Sequence, residues 1–182
     1  MEVCQGSACG AHPQVCVDWC DAQASCRSVG KRVCGQIGGG GLAWSVGGEA
    51  SRSQWYNASS GGRASKYTYG SQYDDNACNG RCTNASSSCE SRCCTTNAAT
   101  FYPACHGAQA PFGGMWDMGG NVVEFEDACG EATGPGVDIC RIRRGNYWSG
   151  ENLMACDRGS YANDEGGRSG GCAYVGFRHC AP

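Results

Sequence analysis

The sequence predicts an α+β domain dominated by loops, with two short helices, a few short strands and many disulfides, as a single unit over residues 1–182. Three observations lead there. Leu, Ile, Val and Phe together supply only 19 of the 182 residues, about a tenth of the chain, where cored domains carry roughly 20%. Disorder, the other outcome of low hydrophobicity, goes with high net charge, and here 14 basic groups face 17 acidic ones. The 17 cysteines supply the missing cohesion. That density marks a disulfide scaffold folded in an oxidising compartment, whether periplasm, cell surface or medium.

The elements follow in order. Val15-Cys16-Val17-Asp18-Trp19 alternates apolar with small or polar side chains and predicts a short strand ending at a helix cap. Asp18 or Asp21 caps a helix over Cys20 to Val29, with Cys20 and Ala24 on one face and Gly30 just past its end in left-handed conformation. Gly38 to Gly41 is too glycine-rich for either regular element, so Cys34 to Ala50 is an inserted loop. Ser51 caps a second helix reaching Ser60, anchored by Trp55 and stopped by Gly61-Gly62. From Ser65 to Pro111, Cys78, Cys82, Cys89, Cys93, Cys94 and Cys105 are spaced by polar loop residues, a stretch held by staples rather than by a core. After the compact block Gly114 to Phe125 come three strands, around Cys140 to Tyr147, Leu153 to Cys156 and Tyr174 to Phe177.

Several functions are excluded or disfavoured. No stretch approaches the roughly 18–20 apolar residues of a membrane span. Met1-Glu2-Val3-Cys4 opens no signal peptide. A cysteine-rich chain without an export signal, with an odd number of cysteines, is expected to be the C-terminal portion of an exported protein whose signal peptide lies upstream. Two lysines against twelve arginines form no basic stripe, so no nucleic-acid partner is expected. Arg141, Arg143 and Arg144 alternate with Ile142 and fit a strand with one charged face better than a phosphate-binding patch. Cys78-x3-Cys82 and Cys89-x3-Cys93-Cys94 have spacings suited to zinc, but in a chain this rich in cysteine disulfides are the expectation. His12, His106 and His179 are scattered, and neither a Gly-x-Ser-x-Gly elbow nor a phosphate-binding loop occurs.

The most informative stretch is Asp117-Met118-Gly119-Gly120-Asn121-Val122-Val123-Glu124-Phe125. Its two carboxylates flank glycines that let the chain curl, so that Asp117, Glu124 and intervening carbonyls can converge on a hard cation such as calcium. Equally, Asp117 and Glu124 can cap turns and pair with arginines. Large aromatics amid Ser, Asn and Gly near the C-terminus suit adaptable recognition. Tyr147, Trp148, Asn152, Arg158, Tyr161, Asn163 and Arg168 are the candidate contacts for a protein or glycan ligand.

The chain resembles the formylglycine-generating enzyme family, the sulfatase-modifying factors, whose fold is a variant of the C-type lectin fold. Val15 to Cys26 and Gly30-Lys31-Arg32-Val33 match the family's Ser-Trp, Asp-Ala, Ala-Tyr-Cys and Gly-Lys-Arg-Leu run. Ser51-Arg52-Ser53-Gln54-Trp55 matches its Thr-Glu-Ala-Glu-Trp helix, and Tyr67-Thr68-Tyr69-Gly70 its Tyr-Pro-Trp-Gly. Asp117 to Phe125 stands for Asp-Met-Gly-Gly-Asn-Val-Trp-Glu-Trp, Arg143 to Tyr147 for Arg-Gly-Gly-Ser-Trp, and Val175-Gly176-Phe177-Arg178 for the closing Gly-Phe-Arg.

The resemblance implies calcium bound by the side chains of Asp117 and Glu124 and the carbonyls of Gly120 and Val122. It implies a disulfide from Cys26 to Cys180. The family's enzymes bind copper through two cysteines five residues apart and use oxygen to oxidise a sulfatase cysteine. Here Cys156 stands near the first position and Tyr161 five residues on, so a two-thiolate copper site lacks a ligand. Copper is not expected, Cys156 becomes a structural partner, for instance of Cys172, and the family's usual N-terminal part is missing. The resulting expectation is a noncatalytic extracellular binding or display domain. The alternatives are an oxygen-dependent oxidoreductase acting on protein cysteine and a variable ligand-binding protein of a diversity-generating retroelement.

Overall fold

A capping box starts the first helix, α1 (Trp19–Ser28): the Asp18 side chain accepts the Asp21 N–H and the Asp21 side chain accepts the Asp18 N–H. The computed structural model describes residues 7–80, 95–131, 138–143, 145–158 and 174–182. Gly30 takes φ +69° just past the helix, as its sequence position predicts. The buried face is Trp19, Ala22 and Cys26, stepping by three and four residues, while Cys20 and Ala24 face solvent. The segment before α1 forms no strand. Helix α2 (Gln54–Ser59) is shorter than expected because Ser53, not Ser51, is its cap and accepts the Tyr56 N–H.

A three-stranded sheet has the order β3-β2-β4, with β2 (Val123–Glu131) antiparallel to β3 (Asp138–Arg143) and parallel to β4 (Val175–Phe177). A two-stranded ribbon pairs β1 (Arg32–Val33) with β5 (His179–Cys180). The long central strand β2 escapes sequence reading because Glu124, Glu126 and Asp127 make it look like a polar loop. Leu153 to Cys156, expected as a strand, instead holds the end of a single helical turn, α3 (Glu151–Met154). Gly150 starts that turn, its carbonyl accepting the Leu153 and Met154 N–H groups.

The α1 face packs on the sheet in one cluster: Trp19, Ala22, Cys26, Val33, Val123, Phe125, Cys140 and Val175. A second cluster sits in the loop region and consists of Tyr67, Cys78, Cys105, Met154 and Ala155, with Tyr69, Tyr73 and Tyr102 against it. Trp55, Met118 and Cys34 form a third.

Disulfides join Cys34 to Cys180, Cys78 to Cys105, and Cys129 to Cys140 across the β2–β3 pair. The expected Cys26–Cys180 bond is not formed. The β1–β5 register sets Arg32 opposite Cys180, which brings Cys34 alongside with 4.9 Å between Cα atoms, while Cys26 points into the α1 core as a free thiol. Burial raises that thiol's pKa. Cys156 is likewise a free, buried thiol rather than a disulfide partner; Cys172 lies outside the described residues.

Candidate functional site

The block Asp117 to Glu124 curls through three left-handed residues, Asp117, Gly120 and Asn121. Glycine is required at 120: φ is +88°, and a Cβ there would meet the Asn79 carbonyl at 2.5 Å. Asn121 fastens the curl to the loop region. Its side chain accepts from the Asn97 N–H and the Asn79 amide and donates to the Asn97 carbonyl.

The curl brings Asp117, Val122 and Glu124 onto one cavity of about 460 Å³, which His12, Trp116, Phe177, Arg178 and His179 also line. Glu124 is already matched. Its Oε2 accepts the Trp55 indole N–H at 2.7 Å and Arg178 Nε at 2.9 Å, and its Oε1 accepts Arg178 Nη2 at 2.5 Å. Arg178 also donates to the Asp117 carbonyl at 3.2 Å. The arginine pairing read as an alternative for Glu124 is therefore formed. Asp117 accepts the Thr100 N–H at 2.8 Å, yet burial pushes its carboxyl above the ordinary value, against that bond and the Arg178 charge.

A cation here would meet Glu124, whose two oxygens already accept from Arg178 and Trp55, and Asp117, which accepts the Thr100 N–H. Two carboxylates and one guanidinium leave the cavity one negative charge in excess, and the raised Asp117 carboxyl is a desolvated acid that a hard cation would stabilise. Of the four residues named for calcium, Gly120 lies in the curl without lining the cavity, and its carbonyl accepts the Val122 N–H at 2.8 Å. Among the described residues no three His, Cys, Asp or Glu side chains converge, so backbone carbonyls and water would complete the shell.

Cys156 lies in a different place. Its N–H donates to the Lys66 carbonyl, and its thiol receives the Ser59 hydroxyl at 2.6 Å with Thr68 at 4.0 Å. Cys156 is 1% exposed, and burial drives its pKa up to about 11 in spite of the Ser59 hydroxyl. Burial thus favours the protonated thiol over the thiolate that nucleophilic attack uses.

Next to the Lys66 carbonyl that Cys156 bonds lies a tyrosine cluster: Tyr67, 1% exposed, is core, and Tyr69 and Tyr73 pack half-buried against it. Tyr67 and Tyr69 stack at 5.6 Å and 8°, Tyr73 leans on Tyr67 at 5.5 Å, and the Tyr67 hydroxyl donates to Glu151 at 3.2 Å. Of the expected ligand contacts, Trp148 is 49% exposed and Asn152 is exposed, while Arg158 is half-buried beside Asp157. Tyr147 corrects the expectation: at 2% exposure it is a core residue, set edge-on under Trp148. Tyr161, Asn163 and Arg168 lie outside the described residues.

The model of sulfatase-modifying factor enzyme 1-like domains matches residues 4–181. Among solved structures, one titled "Crystal Structure of CarF" is similar with a TM-score of 0.60 and 18% identity, covering 95% of this chain and 68% of that one. Among curated proteins none matches.

Proposed function

Because the chain belongs to the sulfatase-modifying factor enzyme 1-like family, with that family's loop-rich variant of the C-type lectin fold, we propose that it is a noncatalytic member, an extracellular binding domain stapled by disulfides. The observation that carries the reading is Cys156. The family's chemistry asks for two reactive thiols five residues apart, whereas this one thiol is buried, protonated and capped by Ser59, with Tyr161 at the second position. Disulfides favour an oxidising compartment, and among the described residues no helix is long and apolar enough to cross a membrane.

Ligand contact is assigned to the face around Trp148 and Asn152, next to Tyr69 and Tyr73. Aromatic rings with amide and carboxylate neighbours give a surface for a protein or glycan ligand. Oxygen uptake with thiol peptides and Cu(I) tests the reading. The expected rate equals that of Cys156→Ser, and turnover abolished by that substitution overturns it.

Calcium belongs to the proposal as a structural ion held by Asp117 and Glu124 with the Gly120 and Val122 carbonyls. It would neutralise the excess charge of the curl. A ligand bound only by the native state raises stability by mass action, so millimolar calcium is expected to raise the melting temperature and a chelator to reverse the rise. A melting temperature indifferent to both sinks the site.

A further inference from the structure

Strand β3 turns two guanidiniums inward at Arg141 and Arg143, which are 4% and 0% exposed. Sequence alternation predicted a charged face here; the structure encloses it. Arg143 Nη2 donates to the Gly47 carbonyl at 2.8 Å and to Ser53 Oγ at 2.9 Å, and lies 2.6 Å from Glu126 Oε2, an ion-pair contact off hydrogen-bond alignment. Arg141 Nη2 donates to the Trp44 carbonyl at 2.8 Å. Beyond these bonds, Nε and Nη1 of both arginines are buried without a hydrogen-bond partner among the described residues.

Aromatic rings cover the guanidinium faces. Arg141 lies 5.0 Å from the Trp44 ring centre, and Arg143 lies 5.4 Å from that of Trp55 and 5.7 Å from that of Tyr56. A π face attracts the positive charge but offers no acceptor to N–H groups, which point outward in the guanidinium plane. The charge count is also uneven. Glu126 is the carboxylate that offsets both cations, and its other oxygen already accepts the Ser53 hydroxyl. Burial and the Arg143 charge together lower the Arg141 pKa. A buried charge with unfilled donors is unfavourable unless something supplies opposite charge and acceptors.

We propose that the unpartnered edges of Arg141 and Arg143 bind a small inorganic anion of the halide class inside the protein. Water would accept the N–H groups and leave the excess positive charge; a halide does both. Close packing favours a small ion: a Cβ added at Gly47 would stand 2.1 Å from the Arg141 guanidinium carbon, so the Gly47 backbone lies directly against that guanidinium. The bound anion would tie β3 to the Trp44–Gly47 turn and to the start of α2, through side chains that already reach Trp44, Gly47 and Ser53.

Thermal melting of the full, oxidised chain tests this, with sodium chloride titrated against sodium gluconate at equal ionic strength. Chloride is expected to raise the melting temperature saturably, by about 5–10 °C once it exceeds its dissociation constant a hundredfold, and gluconate is not. Arg141→Met is expected to abolish the chloride-specific part. Diffraction from crystals grown in bromide gives a second readout that needs no variant, with an anomalous peak expected between the two guanidinium edges. Equal responses to chloride and gluconate, a chloride-specific rise retained in Arg141→Met, or density for water alone between the arginines would each overturn the proposal.

Discussion

In the sheet region, Val33, Val123, Phe125 and Val175 close around Trp19 and Ala22 of α1, and Glu126 meets Arg143 with both side chains 0% exposed. In the loop region, Tyr67, Met154 and Ala155 gather around the Cys78–Cys105 bond, with no strand or long helix among the described residues there to order them. Both regions lack aliphatic bulk, and they make up for it differently. The sheet uses three of the chain's scarce valines, Val33, Val123 and Val175, together with internally paired charge. The loops use tyrosine faces and a covalent bond. A buried ion pair acts in the folded state, where removing one partner strands the other. A disulfide acts largely by restricting the unfolded chain.

The comparison breaks most visibly at Arg143. Arg143→Met leaves Glu126 buried without its cation, and a loss of about 3–5 kcal/mol is expected from denaturant unfolding. A loss no larger than that of an exposed arginine would show that the sheet does not depend on paired charge.

Replacing both Cys78 and Cys105 by alanine opens a loop whose ends are 27 residues apart. The chain-entropy model gives a loss of about 3–4 kcal/mol. Native-state amide exchange separates the regions: protection should fall around residues 67–80 and persist in β2, whereas loss spread evenly over both would mean that they unfold as one.

Asp18→Ala removes one half of the α1 capping box and is expected to lower stability by about 1 kcal/mol, measured by the same unfolding curves. The buried face of α1 packs on the sheet cluster, so protection in the loop region should stay unchanged.

Asp117→Asn should act in the opposite direction. The Asp117 carboxyl has its folded pKa raised above the ordinary 3.8, so the native state holds its proton more tightly than the unfolded chain does. Its contribution to stability is greatest below that ordinary value and declines as pH rises through the raised one. In calcium-free buffer the variant should therefore melt higher than the parent at pH 7 and show no gain at pH 3. Melting curves at the two pH values check it, and calcium should remove the gain at pH 7.

Much of this was legible where the signal is local. The Asp18 cap, the Gly30 stop and buried Trp55 all follow from short-range patterns, and the ordered motifs located the fold. The misses share a cause. Strand β2 carries Glu124 and Glu126 toward Arg178 and Arg143, partners 54 and 17 residues away in sequence. A charge neutralised from that far looks like a surface charge until the chain is folded. Tyr147, read as a contact, is core because Trp148 takes the outer position beside it.

By itself the sequence determined that an aliphatic core was out of reach, that cysteine would replace it, and that Cys156 lacks a second thiol five residues on; composition and spacing carry these. Tertiary structure alone decided that Cys180 bonds Cys34 rather than Cys26, that Glu124 pairs with Arg178, and that the charged face of β3 points inward. Each depends on which side chains the strand register sets within a few ångströms of one another, and register comes from pairings between residues far apart in the chain.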